Sequence, residues 1–122
     1  VIPLAVSGAF HSPFMDDASI GFGKLLRTQS LCTPVIPVYS NFTSAPYGAD
    51  VAAYLEWQIN HPVRWEAIIR AMCDAGVTTF VETGVGNTLQ KLIAKIAPEC
   101  RSLRAESMED IEKIVGEVQG TC

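Results

Sequence analysis

Charge is scarce in this chain. Only 18% of its 122 residues are charged, against roughly 25% in ordinary globular domains, while 48% are hydrophobic. So short a chain, so poor in charge, cannot cover its own apolar sheet and helix faces. Its opening residues, VIPLAV, lie inside an apolar run with no Met, no signal-peptide architecture and no polar lead-in. The reading is one domain at most, expected to be the C-terminal portion of a longer polypeptide.

Other absences narrow the function. The nine Lys and Arg are scattered and the net charge is -4, which leaves no basic stripe for a phosphate backbone, so no nucleic-acid partner is expected. No apolar run approaches the ~20 residues of a membrane helix, so no membrane partner is expected either. Cys32, Cys73, Cys100 and Cys122 are far apart, with no CxxC pair and no His at metal-ligand spacing. They read as reduced, structural thiols, and no metal site is expected. There is no GxSxG elbow, no P-loop and no pair of carboxylates placed for glycosidase work.

What is present alternates between strand and helix patterns. Val1–Val6 is β-branched and apolar, a strand expectation that Pro3 confines to an edge or a strand start. Ser12 and Pro13 suit the start of a helix, with Asp16 and Asp17 in its first turn and Met15, Ala18, Phe22 and Leu25 as its inner stripe. That helix is expected to end before Thr33-Pro34. Val35–Asn41 predicts a second short strand near an edge. Asp50 caps a helix carrying Val51, Tyr54, Leu55 and Ile59. Another helix starts at Pro62, buries Trp65, Ile68, Ile69 and Met72, and stops at Gly76. Val77–Glu82 is the clearest strand. A TGVGN turn leads from it to a helix with Leu89, Leu92, Ile93 and Ile96 on one face. A last strand is expected around Cys100–Leu103. Ser107 and Asp110 form a capping box for a closing helix with Ile111, Ile114, Val115 and Val118 inside. The fold class is α/β, with a parallel portion covered on both faces.

Three places could carry chemistry. His11 sits just outside a helix start, where backbone N–H groups would hold the ring neutral and fit it to act as a general base; a capping histidine is the plain alternative. Gly84-Val85-Gly86 after a strand resembles the opening of a dinucleotide-binding turn, with Glu106 as the acidic partner. Leu89 stands where the third glycine belongs, however, and a tight turn explains both glycines without a ligand. His61, before Pro62, reads as an ordinary loop histidine, with Gln58 and Asn60 free to bond toward a site.

The segments SGAFHSPFM, PVIPVYSN, WQINHPVRW and ETGVGNTLQKLI, in this order, resemble the C-terminal part of malonyl-CoA:acyl carrier protein transacylases. The related acyltransferase domains of polyketide and fatty acid synthases share the pattern. The most specific elements are GAFHSP and N-P-V-x-W, here Asn60 and Pro62–Trp65 with His61 inserted. The resemblance implies ping-pong transfer of malonyl from malonyl-CoA, through a serine outside this chain, to the phosphopantetheine thiol of acyl carrier protein. His11 matches the catalytic histidine, and Gln58 the position whose backbone carbonyl orients it. Phe10 matches the residue lining the acyl pocket, where a ring fills the space an α-methyl would need. No cofactor is implied beyond the substrates malonyl-CoA and phosphopantetheinylated acyl carrier protein. The implied fold is an α/β-hydrolase-like body with a ferredoxin-like insert: residues 1–6 would end the small subdomain and 7–122 return to the large one. The implied protein is a monomer at full length, in cytoplasm or plastid stroma, and this chain alone would be inactive. Two other readings are kept: an acyltransferase domain of a polyketide synthase, and a non-catalytic α/β binding module.

Overall fold

The computed structural model describes residues 8–119. The strand expected at Val1–Val6, Cys122 and the side chain of Val118 lie outside the described residues. Contacts divide the chain after Ile68 into two compact units.

The first unit is helical. Ser12 is extended and Pro13 opens a single 3-10 turn, Pro13–Met15, that runs into α1, Asp16–Leu26. Asp16 and Asp17 fall in the first turn of α1, where carboxylates complement the helix dipole. Ser12 does not cap with its side chain; its hydroxyl donates to the Ala9 carbonyl at 2.6 Å. α1 ends earlier than expected, because Thr28 and Gln29 N–H groups fold back to Leu25 and Leu26 and the Thr28 hydroxyl takes the Leu25 carbonyl as well.

The inner stripe of α1 also differs from the expectation. Ser19, Gly23 and Leu26 are buried, whereas Ala18, Phe22 and Leu25 are exposed. The cause is close packing against α2, Val51–Asn60. The Ser19 hydroxyl donates to the Glu56 carbonyl at 2.7 Å. The Glu56 carboxylate lies against Gly23, in space a side chain would occupy, and pairs with Arg27 at 2.7 Å. Small residues let the two backbones approach, and the apolar stripe is turned outward.

Val35–Asn41 is not a strand. It contributes one isolated antiparallel bridge, Tyr39 to Pro46. Pro37 removes a ladder donor, and Ser40, fully buried, spends its hydroxyl on the Phe42 and Thr43 N–H groups instead. The turn so formed presents the Asn41 carbonyl to the Arg64 N–H at 2.9 Å. α2 begins as expected, with Asp50 Oδ1 accepting from the Ala53 N–H. α3, Trp65–Asp74, starts three residues after Pro62 and spans the division between units. Ile68 and Ile69 are buried along it, and Trp65 and Met72 half-buried.

The second unit is a β-α-β piece with a closing helix. α3 stops where the Gly76 N–H bonds to Cys73 and the Val77 N–H to Met72, a Schellman motif with glycine at φ +91°. β1, Thr79–Thr83, and β2, Arg101–Ala105, pair in parallel from Thr79 opposite Arg101 to Thr83 opposite Ala105. α4, Thr88–Ile96, makes the crossover. Phe80, Ile93, Ala97 and Ala105 form the core. Val81, on the other face of β1, stays 42% exposed, so the expected cover on both faces is not supplied by these residues. α5, Met108–Gln119, opens on the expected capping box: Asp110 N–H to Ser107 Oγ at 3.1 Å, and Ser107 N–H back to Asp110 Oδ2 at 2.9 Å. Ile114 is half-buried, while Ile111 and Val115 face outward.

Candidate active site

The last turn of α2 is the centre of the site. A helix leaves its final carbonyls without intrahelical donors, and here both histidines of the chain supply them. The His61 Nδ1 bonds to the Trp57 carbonyl at 2.7 Å and shares the Asn60 Oδ1 at 2.7 Å. The His11 Nδ1 lies 2.9 Å from the Gln58 carbonyl oxygen, and the His11 N–H donates to the Ile59 carbonyl at 3.2 Å. Two residues 47 apart in sequence are thereby brought together.

That geometry selects the tautomer. A carbonyl can only accept, so Nδ1 carries a proton, and in the neutral ring the lone pair is on Nε2. The imidazole is exposed, so Nε2 is open to a reacting group. The ring's hydrogen bond runs to the carbonyl end of α2, not to the N–H groups of the 3-10 turn as in a capping histidine. His11 also has φ +58°, in the left-handed region, a conformation costing roughly 1–2 kcal/mol for an L-residue. The two bonds to α2 hold it there, and strain of this kind concentrates at functional sites.

The other candidates separate clearly. Phe10 is 56% exposed immediately before His11. The Gln58 side chain accepts from Asn41 Nδ2 at 3.3 Å, and Asn60 Nδ2 donates to Asp16 Oδ1 at 2.8 Å. These amides tie α2 to its neighbours. His61 packs its ring 4.1 Å from that of Phe42 and closes α2. Sequence reasoning missed Ile59, Asn41 and Ser19, which act through backbone or across long separations that no spacing reveals.

The glycine turn has a structural use of its own. Gly84 and Gly86 have φ +117° and +100°, as a tight turn requires. The N-terminus of α4, where a phosphate would sit, holds the chain's own anion: Glu82 accepts from the Leu89 and Gln90 N–H groups at 3.1 and 2.8 Å. Glu106 pairs at the surface with Arg104, 2.9 Å away.

No family model matches the chain. It is 43% identical over 98 residues to the polyketide biosynthesis malonyl CoA-acyl carrier protein transacylase BaeC of Bacillus velezensis, covering 80% of this chain and 34% of that protein. It is 34% identical over 113 residues to the malonyl CoA-acyl carrier protein transacylase of Bacillus subtilis, covering 91% and 36%. The chain thus spans about a third of the length of these two relatives. The crystal structure of malonyl CoA-acyl carrier protein transacylase from Clostridium perfringens superposes with a TM-score of 0.89 at 27% identity, over 98% of this chain and 39% of that one. By sequence and by fold, the chain is homologous to the C-terminal portion of malonyl CoA-acyl carrier protein transacylases.

Proposed function

We propose that the protein carrying this chain transfers malonyl from malonyl-CoA to the phosphopantetheine thiol of an acyl carrier protein, by a ping-pong mechanism. The observation that carries the reading is the His11 Nδ1 held 2.9 Å from the Gln58 carbonyl, with Nε2 left open. Nε2 takes the proton of a serine supplied by another part of the protein as that serine attacks the thioester. The proton then passes to the departing CoA thiolate. In the second half Nε2 deprotonates the carrier thiol, which attacks the malonyl ester, and returns the proton to the serine. The Gln58 carbonyl holds the tautomer and supports the transient positive ring, the task a carboxylate performs in a Ser-His-Asp triad. Phe10 lines the acyl pocket and disfavours an α-methyl.

In this reading the large body is α/β-hydrolase-like, residues 1–6 close a ferredoxin-like insert and 7–122 belong to the large domain. The chemistry needs no metal and no cofactor beyond the two substrates. The protein works as a monomer in cytoplasm or plastid stroma. Among the described residues no helix is long and apolar enough to cross a membrane. A second reading of the acceptor, the carrier protein of a polyketide synthase, is supported by the polyketide-pathway relative at 43% identity.

The test is the intact mass of the full-length protein after brief incubation with malonyl-CoA, followed by addition of fatty-acid or polyketide carrier protein. A malonyl adduct that moves to a carrier is expected, with turnover falling roughly 100- to 10,000-fold in His11→Asn. An unchanged rate in that variant would sink the mechanism. The carrier that discharges the adduct faster decides between the two acceptors.

A further inference from the structure

Two half-buried thiols in the second unit face each other. Cys73, in the last turn of α3, has its sulfur 3.5 Å from that of Cys100, in the turn that leads into β2. The backbone on both sides is pinned. The Cys100 N–H bonds to the Ala97 carbonyl at 3.0 Å, the Arg101 N–H bonds to Thr78 at 2.9 Å, and the Cys100 sulfur also lies 3.6 Å from the Val77 carbonyl. Cys73 itself sits at the second carbonyl of the Schellman motif that ends at Gly76. A cavity of about 160 Å³ opens beside Cys73, lined by Arg70, Cys73, Asp74, Ile96, Ala97 and Glu99. It gives a molecule of a few atoms a way in.

We propose that Cys73 and Cys100 form a two-electron redox pair, oxidised by a small hydroperoxide to a disulfide that staples the end of α3 to the start of β2. The sulfurs are already near van der Waals contact, and a bond needs them to close to about 2.05 Å, a distance side-chain rotation supplies. Cys73 is the member of the pair that lines the cavity, so the first attack falls to Cys73, slowed because burial, followed by the hydrogen bond to Cys100 and the carboxylates of Glu99 and Asp74, pushes its thiol up. After losing its proton to water, the Cys73 sulfur attacks the peroxide, the O–O bond breaks, and a sulfenic acid and hydroxide result. The Cys100 sulfur then attacks the sulfenic sulfur, and the S–O oxygen leaves as water with the Cys100 proton. Two thiols lose two electrons, and one hydroperoxide becomes two waters, or water and an alcohol. The pair lies apart from His11 in sequence and unit, and nothing in the argument depends on the acyl-transfer reading.

The test is a peptide map of the intact protein, reduced, freed of reductant in the presence of a chelator, and treated with stoichiometric hydrogen peroxide before alkylation. Trypsin places Cys73 in peptide 71–91 and Cys100 in peptide 96–101. The expected product is these two peptides joined, about 2 Da lighter than their sum, and separated again by dithiothreitol. Cys73→Ala and Cys100→Ala should each abolish it while leaving peroxide-independent properties unchanged. The wild-type map decides the matter even where a variant fails to fold. Both peptides recovered fully alkylated, sulfinic acid at either cysteine without the joined species, or joining to Cys32 instead would each overturn the proposal.

Discussion

His11 governs how the site has to be probed. With its backbone at φ +58°, an alanine there would pay a conformational cost on top of losing the imidazole. Asparagine tolerates that region, which is why His11→Asn reports the chemistry more directly. Phe10, beside it, carries the specificity argument. Replacing Phe10 with serine in the intact protein should raise loading from methylmalonyl-CoA relative to malonyl-CoA. A methyl fitted or refused by packing is worth about 1–3 kcal/mol, so the ratio should move by roughly 10- to 200-fold. Adduct masses from an equimolar mixture of the two donors measure it, and a ratio that does not move removes Phe10 from the pocket.

Among the elements, α5 offers a titratable handle. Asp110 accepts from the Ser107 and Glu106 N–H groups at 2.9 and 3.0 Å, and these bonds hold its carboxyl below the ordinary value of 3.8. A group depressed in the folded state stabilises the fold above its ordinary value. That contribution is lost as pH falls through the lowered one. A carboxyl-carbon NMR titration should therefore place Asp110 below 3.8, and Asp110→Asn should flatten the acid limb of α5 unfolding. A midpoint at or above the ordinary value would contradict it. The capping box was legible from Ser107 and Asp110 alone because a cap is local, set by residues three apart. So were β1 and the presence of α4, whose β-branched run and three-four spacing are local as well, although of the expected face of α4 Ile93 is buried and Leu89 and Leu92 are exposed. The strand expected at Val35–Asn41 failed because Ser40 bonded to its own turn, a competition that composition does not display. The inner face of α1 was misread for a related reason. Apolar spacing says which stripe is oily, but Ser19 and Gly23 face α2 because close approach needs small side chains. In the site, His11 stood out by its place before a helix start, whereas Phe10 and the Gln58 carbonyl were legible only through a resemblance of motifs. The bond to the Ile59 carbonyl was set by the fold.

Considered whole, the chain exposes more apolar surface than a self-contained domain would. Phe14 is 89% exposed, Val85 92% and Val35 100%, and Phe22, Leu25 and Val81 add to them. The scarcity of charge seen first in composition is thus a scarcity of cover. Expressed alone, these residues should bind a dye such as anilinonaphthalene sulfonate strongly and self-associate. The intact protein should do neither, because the rest of its fold would lie over these faces. Equal, weak dye binding by both would show that the chain buries its own apolar surface.

One consequence follows from the manner in which α2 ends. A helix that finishes on a working group behaves as a ruler read at its tip: each residue advances the tip by about 1.5 Å and turns it by about 100°. The helix is zeroed at Asp50 and read at Gln58 and Ile59. A single residue gained or lost between them would swing those carbonyls away from the imidazole, even with every side chain of the site kept. α2 has only one length at which His11 is in phase.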